Sequence, residues 1–403
     1  MPNTVRAFRA ERPIAGRTVL QIIPSLESGG AERTTLEMAE ALVRAGARAL
    51  VATEGGRLVG ELQALGGEFH AFPAATKNPF AMAANVGRLA ALIAREGVDL
   101  VHARSRAPAW VALGATRRAG VAFVTTYHGV YSANSAIKAR YNSVMAMGDR
   151  VIANSEFTAS HVLERYPFAA GKIVTVHRGV DLRAFSPAAV APDRVRALRE
   201  KWRAPADQRI VLMPARLARR KGHRVLIRAA RLLRDAGRRD LLFILAGDEE
   251  RDAFPRELDR FAEEAGVQDI VGRVGHCEDM PAALLSAACV VAPSVAPEAF
   301  GRVAVEAQAM GAPVVASDLG AAAETVLCPP ACDPAARTGW LVPPDSPEDL
   351  AAAIGRALDL GAAAREALAL RARARVVERF SVDRMCAATL EVYESLLEPA
   401  PAG

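Results

Sequence analysis

Several things are scarce or missing in this chain. No apolar run reaches the 18 or so residues needed to cross a bilayer, so a transmembrane protein is not expected. Residues 1–15 carry arginines but no apolar h-region, so no signal peptide is expected. Only five of the 403 residues are cysteine. That odd number, scattered late in the chain, points to a reducing cytoplasm rather than a disulfide framework. Aromatic residues make up 5%, and no basic stripe with interleaved aromatics appears, which argues against nucleic acid as a partner. Five lysines stand among 51 basic residues, a bias that reads as base composition more than chemistry. The G-x-G-x-x-G dinucleotide fingerprint is absent. So is any Asp-x-Asp pair set to hold Mg²⁺ or Mn²⁺; the one weak metal hint is Cys328 with Cys332 in a Pro-rich loop.

What remains is a soluble composition with 51% apolar residues and a net charge of +6. The length exceeds one ordinary core, so two domains are expected. The positive balance fits anionic ligands such as nucleotide diphosphates, phosphoglycans or an acidic membrane face.

Residues 292–311, A-P-S-V-A-P-E-A-F-G-R-V-A-V-E-A-Q-A-M-G, organise the rest. A short apolar run, 288–292, reads as a buried strand. A loop with Pro293, Pro297 and Gly301 follows, then a helix ending at Gly311. Strand, glycine-bearing loop and helix start form an anion site, because unpaired N–H groups at a helix N-terminus face whatever sits there. Glu298 and Glu306 flank the turn. Eight residues of pure helix would separate them by roughly 12 Å, about the span from a sugar ring to a ribose across a diphosphate.

A rhythm of strands and helices surrounds this stretch. Residues 18–23, 47–52, 99–102, 121–127, 150–153 and 172–176 read as strands, with helices over 31–45, 80–95, 134–147 and 156–166 between them. Gly29-Gly30 lies between the first strand and the first helix, a weak phosphate-cradle signal that a tight turn explains as well. Residues 1–16 read as a loose basic lead. A Pro- and Ala-rich linker with a short helix spans 183–207. A second series then places strands at 209–214, 241–246, 270–274, 288–292 and 313–317, with helices at 224–236, 254–265, 280–287 and 346–360. Two helices, 362–380 and 382–397, close the chain. Alternating strands and helices mean parallel sheets covered on both faces, with ligands at the C-terminal strand ends. The expected fold class is therefore α/β, two doubly wound Rossmann-like domains facing a cleft. They cover 1–182, joined by the last helix at 382–403, and 208–381.

Several segments together resemble the family 4 retaining glycosyltransferases of the GT-B fold. They are Gly29-Gly30-Ala31-Glu32-Arg33, His128-Gly129, Asn154-Ser155-Glu156, Arg178-Gly179-Val180-Asp181, and Arg216 with Lys221-Gly222. Ala246-Gly247-Asp248, Val274-Gly275-His276, the Glu298 and Glu306 pair, Gly311-Ala312-Pro313 and Gly339-Trp340-Leu341-Val342-Pro343 continue the series. They fall in the family's order across roughly residues 18–380. More narrowly, the segments 127–132 and 297–302 are similar to bacterial lipopolysaccharide-core and related envelope sugar transferases.

The resemblance implies specific roles. Arg216 and Lys221 would hold the nucleotide diphosphate, where cationic side chains stabilise charge growing on the leaving phosphate. Glu306 would bind the ribose hydroxyls and Glu298 those of the donor sugar; a covalent intermediate on Glu298 is the older alternative. Backbone N–H groups of Phe300, Gly301, Arg302 and Val303 would face sugar and phosphates. Gly275 and His276 would lie beside the base through backbone groups, Gly29 and Gly30 would approach the donor, and His128 would lie against the donor sugar. Asp248 is followed by Glu249 where the family usually has a second glycine, so a turn role fits it better.

The expected activity is metal-independent, retaining transfer of a hexosyl group from a UDP- or GDP-sugar to a hydroxyl of an envelope glycan such as lipopolysaccharide core. No cofactor is expected beyond the donor itself. A cytoplasmic protein touching the anionic inner membrane face is the expected setting, with the basic N-terminal segment as one contact. Two rivals remain: a nucleotide-sugar epimerase on the same architecture, and a non-catalytic glycan- or nucleotide-binding subunit.

Overall fold

A computed structural model describes residues 14–27, 29–131, 135–249 and 253–398. The basic lead expected over 1–16 falls outside the described residues as far as position 13. The chain forms two compact units. Unit 1 is Met1–His177 with Asp383–Gly403, and unit 2 is Arg178–Val382.

Unit 1 runs β1 (Thr18–Ile22), α1 (Gly30–Arg44), β2 (Arg48–Thr53), α2 (Val59–Ala64), β3 (Glu68–Ala71), α3 (Pro79–Glu96), β4 (Leu100–Ala103) and α4 (Arg106–Ala119). It continues with β5 (Ala122–Tyr127), α5 (Ala136–Asn142), β6 (Arg150–Ala153), α6 (Glu156–Arg165) and β7 (Ile173–Thr175). Its seven strands lie in the order β3-β2-β1-β4-β5-β6-β7, every pair parallel. The inner strands β1 and β4 are buried along their whole length, as expected of a parallel sheet covered on both faces. The helix expected over 134–147 is shorter. α5 stops at Asn142, and Ser143–Ala146 forms a buried 3-10 turn whose Met145 carbonyl accepts from Thr125 Oγ1 at 2.5 Å.

Unit 2 begins with α7 (Pro192–Lys201), which packs on the later helix Met280–Ser286 with Leu198 and Trp202 buried in the same cluster. Then follow β8 (Arg209–Pro214), α8 (His223–Asp235), β9 (Leu241–Ala246), α9 (Phe254–Glu264), β10 (Val271–Gly275), α10 (Met280–Ser286) and β11 (Ala287–Ala292). The remainder is α11 (Arg302–Ala309), β12 (Val314–Ser317), α12 (Ala322–Thr325), β13 (Trp340–Val342), α13 (Pro347–Leu358) and α14 (Ala362–Arg379). The order is β10-β9-β8-β11-β12-β13. α8 shows why these helices settle where they do. Val225, Leu226, Ile227, Ala229, Ala230 and Leu233 are buried against the sheet and α13, while the intervening arginines face water. Burying one such leucine or isoleucine contributes about 1.5–3 kcal/mol.

The last helix, α15 (Val382–Leu397), lies almost wholly in unit 1. A buried polar chain fixes it there. Tyr393 Oη lies 2.6 Å from His102 Nδ1, and His102 Nε2 lies 2.6 Å from Thr126 Oγ1. Burial holds the His102 pKa well below its ordinary value, with nearby Arg104 adding to the effect, so the ring is neutral: one nitrogen donates to one hydroxyl and the other accepts from the second.

In both sheets the strand order reverses beside the first strand of the unit, between β1 and β4 and between β8 and β11. Crevices at the C-terminal ends of strands at such a reversal are where open α/β sheets take their ligands.

Candidate functional site

Most of the candidate residues occupy loops that leave the C-terminal edge of the unit 2 sheet. After β8 the chain makes a 3-10 turn, Arg219–Lys221, closed by Gly222 in the left-handed region at φ 81°. A Cβ on Gly222 would stand 1.8 Å from the Pro293 carbonyl oxygen. Only glycine lets the β8–α8 loop lie directly on the loop after β11, across the strand reversal.

That close approach brings distant residues together. Lys221 Nζ donates to Glu298 Oε1 at 2.5 Å, and the Ser294 hydroxyl donates to the same oxygen at 2.6 Å. Arg220 stands 3.8 Å from it. The Lys221 and Glu298 side chains are only 18% and 23% exposed, so the pair is shielded from full solvent screening. Burial pushes the Glu298 pKa up, yet Lys221, Ser294 and Arg220 together outweigh it and hold the carboxyl below its ordinary range. Glu298 is therefore an ionised group that can only accept hydrogen bonds. Its backbone is pinned as well. Ala321 N–H donates to the Glu298 carbonyl at 2.9 Å, and Gly320, at φ 68°, comes so close that a Cβ would meet that oxygen at 2.4 Å.

Glu306 has a different setting. Gly301, at φ 82°, starts α11 without a side-chain cap, so first-turn N–H groups of the Arg302–Val303 segment lack intrahelical partners. One turn on, Arg302 donates to Glu306 Oε1 at 2.8 Å. Burial raises the Glu306 pKa, and Arg302 only partly opposes this. Phe300 is buried with its ring edge-on to Phe380 at 5.7 Å, which leaves only its backbone for a ligand. Val303 is partly buried in the apolar cluster below the sheet.

Arg216 is exposed and has no hydrogen-bond or ion-pair partner among the described residues. Gly275, at φ 67°, ends β10 and accepts from Gly247 N–H at 2.8 Å. His276 Nδ1 meets Asp248 Oδ1 at 3.0 Å in a pair exposed on both sides. The Asp248 carbonyl accepts from Leu217 N–H at 2.9 Å, a tie between two loops beside the isolated Leu217–Glu249 bridge.

His128, Gly29 and Gly30 belong to unit 1. His128 follows β5 directly and is half-buried. Gly29 caps α1 at φ 147°, and the Glu32 carboxylate folds back over it, 2.5 Å from where a Cβ would be. That first turn is already occupied by a negative charge.

Two residues of the unit 2 cluster escape a reading of sequence. Ser294 is 4% exposed, and its signal is a serine four positions before the glutamate. Gly320 comes from the next βα loop and carries no local signal. Cys328 and Cys332 are free thiols. Among the described residues, the metal-ligating types gather at Glu68, His70 and Glu96 in unit 1. There Arg48 lies between the two carboxylates, 2.8 Å from Glu68 Oε2 and 3.3 Å from Glu96 Oε2.

Two Rossmann-like units, each a parallel sheet with its strand reversal beside its first strand, form the architecture of GT-B-type glycosyltransferases. The family models agree. "Glycosyltransferase Family 4" matches residues 28–184, and "Glycosyl transferases group 1" matches residues 195–375. The chain belongs to the family 4 glycosyltransferases.

Among curated relatives, it is 32% identical to D-inositol 3-phosphate glycosyltransferase 2 of Catenulispora acidiphila over 74% of this chain and 71% of the relative. Other relatives bearing that activity name are covered over 56% to 72% of their length. Among solved structures, a glycosyltransferase from Rickettsia africae is 34% identical with a TM-score of 0.86, covering 96% of this chain and all of that one. Anabaena HepE in complex with UDP and glucose is 25% identical with a TM-score of 0.77, over 94% and 100% of the two chains.

Proposed function

We propose that the protein transfers a hexosyl group, with retention and without a metal ion, from a UDP-sugar to a hydroxyl of an envelope glycan. The observation that carries this reading is the cluster of Lys221, Ser294, Glu298 and the α11 N-terminus at the strand reversal of unit 2. An ionised Glu298 accepts hydrogen bonds from donor-sugar hydroxyls and orients the ring. Lys221, the exposed Arg216 and the first-turn N–H groups of α11 supply positive potential where the diphosphate leaves. Such preorganised donors matter most where charge develops during the reaction. Glu306, buried and hydrogen-bonded to Arg302, is set to accept from ribose hydroxyls. UDP is favoured over GDP by the UDP complex of HepE.

Glu298 acts in this reading by orientation: Lys221 and Ser294 hold one oxygen and the other accepts from the donor sugar. A second reading of the acceptor, a phosphorylated inositol, is favoured by the D-inositol 3-phosphate glycosyltransferases among its relatives. Either acceptor fits a protein without a membrane-crossing helix among its described residues.

The test begins with thermal-shift titration against UDP, GDP, ADP and CMP. At a hundredfold excess over Kd, binding to the folded state raises stability by about 2.7 kcal/mol. Turnover of UDP-glucose and UDP-N-acetylglucosamine with inositol phosphate or with a lipid-linked glycan then separates the two acceptors. Product anomeric configuration reports retention, and turnover in EDTA reports metal dependence. A folded protein indifferent to every nucleotide and sugar nucleotide would instead support the non-catalytic, glycan-binding rival.

A further inference from the structure

We infer that Ser294 is a positioning residue that, with Lys221, fixes the Glu298 carboxylate by one oxygen so that the other faces the ligand. The inference rests on the donor reading above and assigns each carboxylate oxygen a separate task.

Three observations carry it. First, the bonds from Lys221 Nζ and Ser294 Oγ converge on Oε1, while Oε2 has no hydrogen-bond partner among the described residues. Second, Ser294 is buried, at 4% exposure, so its hydroxyl is not held there by chance contact with water. It stands one residue beyond Pro293, the residue against which Gly222 closes. The loop contact that aims Lys221 therefore also aims Ser294. Third, the Glu298 backbone is held by Gly320 and Ala321. With main chain and Oε1 both fixed, the carboxylate plane has one orientation, and Oε2 is left to accept from a sugar hydroxyl.

A serine hydroxyl is suited to this place for two reasons. A single short donor sets the carboxylate angle, whereas the flexible lysine stem alone sets only charge. A hydroxyl adds no net charge beside the departing diphosphate, so it orients Glu298 without competing with Lys221 and Arg216 for that role.

The variants are Ser294→Ala, Ser294→Thr, Glu298→Gln and the double variant Ser294→Ala/Glu298→Gln. The probe is UDP-glucose, scored by UDP released without acceptor, together with the Glu298 carboxyl titration followed by carbon-13 NMR. The Glu298→Gln spectrum assigns the signal. Ser294→Ala should lower kcat about tenfold, the effect of losing one hydrogen bond to a charged group, with KM for UDP-glucose changed less than about twofold. The carboxyl titration and the acid limb of the pH profile should both move to higher pH. Ser294→Thr, which keeps the hydroxyl, should restore both. In the Glu298→Gln background the serine change should add nothing further.

Ser294→Ala with the parental kcat, titration and acid limb in a folded protein would overturn the inference. So would equal losses in the two backgrounds. If the parent neither binds nor hydrolyses UDP-glucose, the donor reading fails on its own, and the titration shift still decides whether Ser294 fixes the carboxylate.

Discussion

Gly222→Ala tests most directly how the unit 2 site is assembled. The substitution adds one methyl group, and two separable costs follow. The first is local: Gly222 sits at φ 81°, and an alanine in the left-handed region costs about 1–2 kcal/mol. The second is the collision. The new Cβ would stand 1.8 Å from the Pro293 carbonyl oxygen, and van der Waals contact requires about 3.5 Å. That oxygen is backbone, so the two loops must part. Forcing such an opening costs about 1–3 kcal/mol more.

Gly237 provides the control. It lies just past the other end of α8 at φ 86°, but a Cβ there meets nothing within 4 Å. Gly237→Ala therefore carries the backbone cost alone. For a unit of this size, each kcal/mol lowers Tm by about 2–4 °C. Gly237→Ala should melt about 2–8 °C below the parent, and Gly222→Ala about 4–20 °C below. Differential scanning calorimetry measures both. Parting the loops also separates Lys221 from Glu298, so Gly222→Ala should lose the UDP-induced stabilisation that Gly237→Ala retains. If the two variants melt together, or Gly222→Ala still responds fully to UDP, the account of a glycine-dependent loop contact is refuted.

Three further outcomes are expected. Lys221→Met should lower UDP-glucose turnover by about 10²–10³-fold, as when one preorganised donor is removed from a developing charge; steady-state UDP release measures it, and a drop under fivefold would count against the role. Glu306→Gln should stabilise the protein at pH 7, because burial raises the Glu306 pKa above its ordinary value. With the folded pKa raised, the protonated carboxyl's contribution is complete below about pH 4.5 and is lost as pH rises through the folded value. The variant's advantage in denaturant melts should therefore vanish near pH 4; a Gln variant less stable at pH 7 would mean that the Arg302 bond outweighs burial. Tyr393→Phe removes the hydroxyl 2.6 Å from His102 Nδ1 and should cost about 1–3 kcal/mol, the penalty for a buried polar group left unpaired. Limited trypsin digestion at the C-terminus and thermal melting would show it, and an unchanged melt would remove α15 fastening from the role of that bond.

Much of the scaffold was legible because parallel strands buried on both faces leave a plain signal. β8 and β9 occupy residues 209–214 and 241–246 as read from their continuous apolar runs. β3, Glu-Phe-His-Ala, was not legible. It is a half-exposed edge strand whose short polar sequence resembles a loop, and its pairing with β2 decides its conformation. The end of α5 was equally hidden, since the 3-10 turn that follows is set by packing under β5. Motif order correctly pointed to the family, because the spacing of Arg216, Lys221, Glu298 and Glu306 follows the loops of the fold.

What the spacing of Glu298 and Glu306 did not show was the state of either carboxylate. They lie eight positions apart and read as a matched pair. Glu298 is held ionised by Lys221, 77 positions away in sequence, in a contact that exists only because Gly222 has no side chain. Glu306 is pushed toward its neutral form by burial in α11, against the pull of an arginine one turn away. Residue type and spacing decide which loop or helix a carboxylate occupies. Its charge is decided by burial and by partners that other loops bring to it, so tests of this site begin at Gly222 and Ser294 as much as at the two glutamates.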